Sequence, residues 1–252
     1  ALSLLAVSAY GQTTKEVTFK SDTLKLYGTI TLPDGEGPFP GMVFVHGSGP
    51  NDRNQQIVLR NSKSRCLYPE LHGDTLDNFR ELADTLAQHG IATLRYDKRT
   101  FTYRKHLNLK SLNPKDFIKD IHAALNFLKK QPQVKEDQLL LTGHSQGGNF
   151  IPLVAEKRND IAGLVALATT AESIDTVLHD QIRYFFRKCA DSTQAIIKSE
   201  KILHVFSRHR KGKWPANKPL INAYPDFWKN WLAITDSTIQ AFQQVEVPIL
   251  FV

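Results

Sequence analysis

Apolar and polar side chains alternate from Lys15 to Leu32, as at Val17 and Phe19 and then at Leu24 and Leu26. A period of two places such residues on one face of a strand, so this stretch predicts a strand pair. The turn formers Pro33-Asp34-Gly35-Glu36-Gly37-Pro38 close it. Gly41-Met42-Val43-Phe44-Val45 is a continuous apolar run and predicts a buried strand. Residues 51 to 73 are polar and irregular, too long for an ordinary connection, and are expected to form a loop near a functional site. Helical spacing follows at Leu76, Phe79, Leu82 and Leu86, with Gly90 as the stop, predicting a helix from Thr75 to His89. Ile91 to Tyr96 reads as a strand. Pro114 to Lys130 reads as a helix with Phe117, Ile121, Ala124, Leu125 and Leu128 on its apolar side. Gln138 to Thr142 and Ile161 to Ala168 are two more apolar strands, with a helix between them. Strands alternating with helices predict the α/β class, a mostly parallel central sheet with helices on both faces.

From Glu172 to Val245 that rhythm stops and several helices with few strand signals are expected. All three tryptophans, Trp214, Trp228 and Trp231, fall here, with Tyr184, Phe185, Phe186, Tyr224 and Phe227. An inserted helical cap fits this pattern. Most of its aromatics must form its own core, leaving two or three to face a substrate. Val247 to Val252 then returns to the sheet. The expected division is a secretory-signal remnant at 1–11, a core at 12–170, a cap at 171–245 and the return to the sheet at 246–252. The first nine residues, Ala1 to Ala9, resemble the apolar end of a secretory signal without its basic leader. Clipping at both ends and export to a periplasm or the outside are therefore expected.

Composition narrows the class. The 252 residues are 41% hydrophobic and 23% charged, in the range of soluble globular proteins. That run at the start is too short to span a bilayer and no other stretch approaches the required length, so stable membrane insertion is not expected. The formal charge is +7. Much of the excess is local: Lys198, Lys201, Arg208, Arg210, Lys211, Lys213 and Lys218 stand against the single acid Glu200. No nucleic-acid-reading motif accompanies this run, which is expected to be a solvated face with at most an attraction for anionic substrates or surfaces. Cys66 and Cys189 show neither C-x-x-C nor zinc spacing. They are expected as two separate thiols, and no metal site is implied.

The strongest chemical signal is Gly143-His144-Ser145-Gln146-Gly147, placed between an apolar strand and a helix. A G-x-S-x-G turn in that setting lifts the serine hydroxyl clear of the backbone and makes Ser145 a candidate nucleophile. The start of the following helix turns free N–H groups toward the reacting centre. His46-Gly47-Ser48-Gly49-Pro50, after an earlier strand, offers the second half of an oxyanion hole. The candidate donors are the N–H groups of Ser48 and Gln146, with Gly49 as the alternative to Ser48. One such donor is worth about 2.7–4 kcal/mol of transition-state stabilisation. His46 comes too early in the chain for a catalytic base and reads as a structural histidine.

Together with Leu94-Arg95-Tyr96-Asp97-Lys98-Arg99 and Val247-Pro248-Ile249-Leu250-Phe251-Val252, these stretches resemble the α/β-hydrolase superfamily. The resemblance is to secreted bacterial serine hydrolases of the dienelactone-hydrolase and prolyl-oligopeptidase-like branch. It implies an α/β-hydrolase sheet whose last strand or strands are missing here, with Asp97 and Arg99 as scaffold. It also implies that the catalytic acid and histidine follow Val252, so that the chain alone is inactive. Glu172 and Asp175, with His122, His179, His204 or His209, are the in-chain substitutes. The expected activity is cleavage of an acyl bond, foremost a carboxylic ester, on a small-molecule substrate without a cofactor. A peptidase, a thioesterase and a non-catalytic binding protein on the same scaffold are the alternatives.

Overall fold

A computed structural model describes residues 11–190 and 192–252. Nearly all of the expected signal remnant lies outside the described residues. The elements run β1 (Gln12–Ser21), β2 (Leu24–Pro33), β3 (Phe39–Val45), β4 (Gln56–Val58), α1 (Ser62–Leu67), β5 (Thr75–Asp77), α2 (Asn78–Gln88), β6 (Ala92–Tyr96), α3 (Arg99–Thr102), α4 (Pro114–Lys129), β7 (Val134–His144), α5 (Gln146–Ala155), β8 (Ile161–Leu167), α6 (Ile174–Cys189), α7 (Ser192–Arg210), α8 (Pro225–Asp236), α9 (Thr238–Gln243) and β9 (Ile249–Phe251).

Seven strands form one sheet in the order β1-β2-β6-β3-β7-β8-β9. β1 pairs antiparallel with β2, and β2 with β6, and the remaining pairs are parallel. From β3 the chain first crosses to β6 on one side and later to β7 on the other. The strand order therefore reverses between β3 and β7, and the carboxyl ends of those two strands border the crevice where open α/β sheets place ligands.

The alternation within β3 shows how the sheet is covered. Val43 and Val45 enter the larger apolar cluster, which gathers α4, α5 and α8. Met42 and Phe44 face the opposite way, against Phe79 and Ala83 of α2. With both faces buried, the strand must be apolar throughout, which is why its sequence shows no alternation. Helix α4 begins as its sequence dictates: Pro114 sits in the first turn, and Asn113 and Asp116 form a reciprocal capping box.

Three expectations are corrected. The segment from 51 to 73 is not a plain loop; it contains β4, α1 and a short 3-10 turn at Pro69–Leu71. Thr75 to Asp77 belong to strand β5, paired antiparallel with β4, so the helix starts three residues later than its apolar spacing suggests. A long-range pairing partner overrode the local pattern here. Cys66 and Cys189 are not separate thiols but a disulfide across a sequence separation of 123, with Cα atoms 5.6 Å apart. It joins α1 to the end of α6, two segments that only tertiary packing brings together. Among the described residues no helix is long and apolar enough to cross a membrane.

Candidate active site

Ser145 sits between β7 and α5 with φ 51° and ψ −114°. A non-glycine residue in this region costs of order 1–3 kcal/mol and persists only where its surroundings fix it. They do so here: its N–H donates to Leu167 O at 2.9 Å, and its own carbonyl accepts from Gly148 N at 3.0 Å. The flanking glycines are needed for space. A Cβ on Gly143 would stand 2.7 Å from the Gly147 carbonyl and from Gly148 Cα. One on Gly147 would collide with the Val45 carbonyl.

The sheet register brings the second turn alongside. Val45 pairs with Gly143 in the parallel β3–β7 ladder, so the chain leaves both strands at the same level. The turn after β3 is tied down by side chains. Gly47 N donates to Gln55 Oε1 at 3.1 Å, and Asn51 Nδ2 donates to the carbonyls of Gly47 and Ser48 at 3.0 and 3.1 Å. The other end of Gln55 reaches His144 Nδ1 at 2.8 Å. Because Gln55 Oε1 accepts from Gly47, its Nε2 is the donor, which fixes neutral His144 with its proton on Nε2. Burial lowers the His144 pKa and favours that neutral form. Gln55 therefore cross-links the two turns, a role invisible in the polar run that contains it.

Lys98 lies beneath the same turn and is 4% exposed. Its Nζ donates to Gly47 O at 2.6 Å and to Gln146 Oε1 at 2.9 Å, and sits 4.5 Å from the centre of the Phe117 ring. Burial lowers its pKa to about 7. A cavity of about 260 Å³ opens here, bounded by Ser48, Gly49, Lys98, Arg104 and Gln146 and by Phe227, Trp228 and Trp231 of α8. Ser48 is exposed, Gln146 is buried and Ser145 is half-buried at the junction of the two turns.

The remaining candidates lie elsewhere. His46 is buried, and burial, followed by the charge of Lys98, lowers its pKa to about 3. Its ring packs edge-on against Tyr96 at 5.2 Å. Asp97 is engaged by Arg53 and Asp120 by Arg99, each through paired hydrogen bonds of 2.6–3.0 Å. Asp175 and Asp236 are held by Arg210. His179 bonds Asp180, its neighbour in the chain. His122 lines a separate surface depression with Lys20 and Lys119. His204 and Glu172 are exposed and His209 is half-buried. None of these bonds leads to Ser145. In the basic run, Arg208 and Lys218 lie over the Trp214 ring at 5.6 and 5.5 Å.

Residues 71–252 match the family described as serine aminopeptidase, S33. Esterase EstD of Thermotoga maritima is 31% identical over 198 residues, covering 79% of this chain and 42% of that esterase. The chain thus spans less than half the length of this curated relative. Among solved structures, Est1E from Butyrivibrio proteoclasticus superposes with a TM-score of 0.54 at 19% identity, covering 94% of this chain and 76% of that one. The α/β hydrolase GrgF from Penicillium sp. sh18 gives 0.53 at 16% identity, over 96% and 89%. At these identities the likeness to the solved structures is one of fold. The chain belongs to the serine aminopeptidase S33 family of α/β hydrolases, a family of hydrolases and esterases.

Proposed function

We propose that this chain carries the nucleophile and the oxyanion hole of a serine hydrolase that cleaves carboxylic esters. The observation that carries the proposal is the strained Ser145, held at the carboxyl ends of β3 and β7 where Ser48 and Gln146 bound one cavity. In this reading Ser145 Oγ attacks the ester carbonyl carbon. The N–H groups of Ser48 and Gln146 receive the negative oxygen of the tetrahedral intermediate, the alcohol leaves with the proton that the base took from Ser145, and water, giving its proton to the same base, releases the acid and restores the serine. The base that takes the Ser145 proton and its carboxylate partner are assigned to the part of the relative's length that this chain does not span. Phe227, Trp228 and Trp231 give α8 the role of a roof over the acyl group, and the α6–α9 segment that of a cap.

The cavity lining favours an ester over an aminopeptide. Its charged residues are Lys98 and Arg104, with no carboxylate among them. A free amino terminus would meet like charge and no acceptor anion. The disulfide supports an oxidising compartment, and hence export.

The test uses the full-length protein with a fluorophosphonate probe and a panel of ester, thioester and aminoacyl amide substrates. Wild type is expected to be labelled and to prefer esters, and Ser145→Ala to lose both labelling and turnover. Undiminished labelling of the variant removes Ser145 as the nucleophile, and preference for the aminoacyl amide reverses the substrate assignment.

A further inference from the structure

Gly47 O and Ser48 N–H are opposite ends of one planar peptide. The Lys98 ammonium holds the carbonyl end at 2.6 Å. The same ammonium holds Gln146 Oε1 at 2.9 Å, and Gln146 is the first residue of α5. Both residues assigned as oxyanion donors are thus tied to a single cation behind the site. A cation bonded to a carbonyl withdraws charge from that peptide and makes its N–H a stronger donor, most of all where water is excluded.

We propose that Lys98 is a positioning residue of the oxyanion hole, fixing and polarising the Gly47–Ser48 peptide and anchoring Gln146. This rests on the reading of Ser145, Ser48 and Gln146 given above. Recognition of a substrate carboxylate is the other use for a lysine in this cavity. The geometry disfavours it, because two of the ammonium's three donors are already taken and its remaining side lies over the Phe117 ring. Asn51 also donates to Gly47 O, so the turn keeps a partner when Lys98 is removed.

The charges around Lys98 set its titration. Asp120 on α4 favours the ammonium, although Arg99 occupies that carboxylate. His46 lies under the same turn and Arg104 bounds the same cavity. Burial outweighs Asp120 and brings the pKa to about 7. The pull on the Gly47 carbonyl is therefore present below that pH and fades as pH rises through it. His46, held near 3, stays neutral over this range.

The experiment has two arms on the full-length protein. In the first, the amide resonance of Ser48 is followed by NMR from about pH 5 to 9, a window spanning the Lys98 titration. An inflection near pH 7 is expected in wild type and is expected to be lost in Lys98→Met, with any shift from His144 or the general base common to both. In the second, ester hydrolysis by Lys98→Met is expected to lose about 100-fold in kcat, as for one missing oxyanion donor, with KM unchanged within about twofold. Its alkaline decline through pH 7 should vanish with the lysine. A Ser48 amide with the same pH profile in wild type and Lys98→Met overturns the positioning role even where Ser145→Ala is inactive. Should Lys98→Met not fold, Lys98→Arg gives the same comparison, since its guanidinium keeps the charge without titrating and the inflection is expected to be absent. Hydrolysis that survives Ser145→Ala overturns the underlying reading, and the oxyanion role of Lys98 with it.

Discussion

At the elbow, β7 and α5 are packed so closely that Gly143 has backbone atoms of Gly147 and Gly148 2.7 Å from where a Cβ would stand. Helix α7, by contrast, leaves Ile196 and Ile197 more than half exposed, while Ala195, Ser199 and Phe206 are buried. α6 is similar, burying Ile174 and His179 along 16 residues. The floor of the site is positioned by strand register, backbone contact and short side-chain ties. The helices above are held by fewer and more distant attachments. These include the disulfide from α6 to α1, the Phe227 ring of α8 against Phe117 of α4 at 6.3 Å and the bond from Asn149 Nδ2 to Thr238 Oγ1 at 3.1 Å, while Arg210 joins α7 to α6 and α8 through Asp175 and Asp236. A floor built this way fixes the backbone around Ser145 through many short contacts. Helices tethered at a few points can differ in sequence and contour while the floor stays the same, which suits a segment that shapes a pocket.

The comparison breaks most visibly at the floor. Gly143→Ala forces backbone apart at Ser145, the proposed nucleophile, so fluorophosphonate labelling should fall by more than about 100-fold, as when an oxyanion donor is lost. Labelling within a few-fold of wild type would mean that the floor tolerates what the contacts forbid. The next largest effect belongs to the helices. Replacing Cys66 and Cys189 by Ala should cost about 4 kcal/mol in denaturant unfolding, since the closed loop is long. An equal loss of labelling before any unfolding would show that floor and helices are not independent.

Acid should separate the two regions further. Unfolded His46 takes up a proton near its ordinary 6.5, whereas folded His46 resists until about 3. Stability contributed by the floor is therefore lost as pH falls from 6.5 toward 3, by at most about 1.4 kcal/mol per pH unit. His46→Gln should flatten that slope in denaturant titrations taken at successive pH values. In the helices, burial alone would raise Asp175, but hydrogen bonds from Arg210 outweigh it and lower its pKa; Arg210 lowers Asp236 as well. Their contribution is complete above an ordinary carboxylate pKa and is lost only below it. Arg210→Met should remove that lower limb. Because the guanidinium is 38% exposed, the cost at neutral pH should be only about 1 kcal/mol in thermal or denaturant unfolding.

The centre of the sheet was legible because its strands advertise their burial. Val43, Leu94, Leu141 and Leu164 lie in runs too apolar for a surface strand. The turn residues Ser145, Ser48 and Gln146 were legible as candidates because small residues at fixed offsets are what such turns require. Ser48 and Gln146 border one cavity, and Ser145 stands beside it at the strand ends. What escaped the sequence has a common cause. Thr75 to Asp77 look helical until β4 supplies a partner. Gln55 lies in a polar stretch like any loop, and nothing local says that its amide spans from Gly47 to His144. Lys98 stands between Asp97 and Arg99, which form ion pairs, and only its burial and the absence of a carboxylate partner set it apart. A cation after a buried strand, flanked by two groups that pair elsewhere, is the signal that could have found it.

By itself the sequence determined the alternation of strand and helix and the two glycine-rich turns, because these depend on local spacing and on the room a missing Cβ leaves. Tertiary structure alone decided that Cys66 meets Cys189, that α8 brings Trp228 and Trp231 to the cavity that Ser48 borders, and that one buried ammonium reaches both Gly47 and Gln146. Those contacts join residues tens of positions apart. They form only after the chain has buried enough apolar surface to offset the entropy of bringing them together.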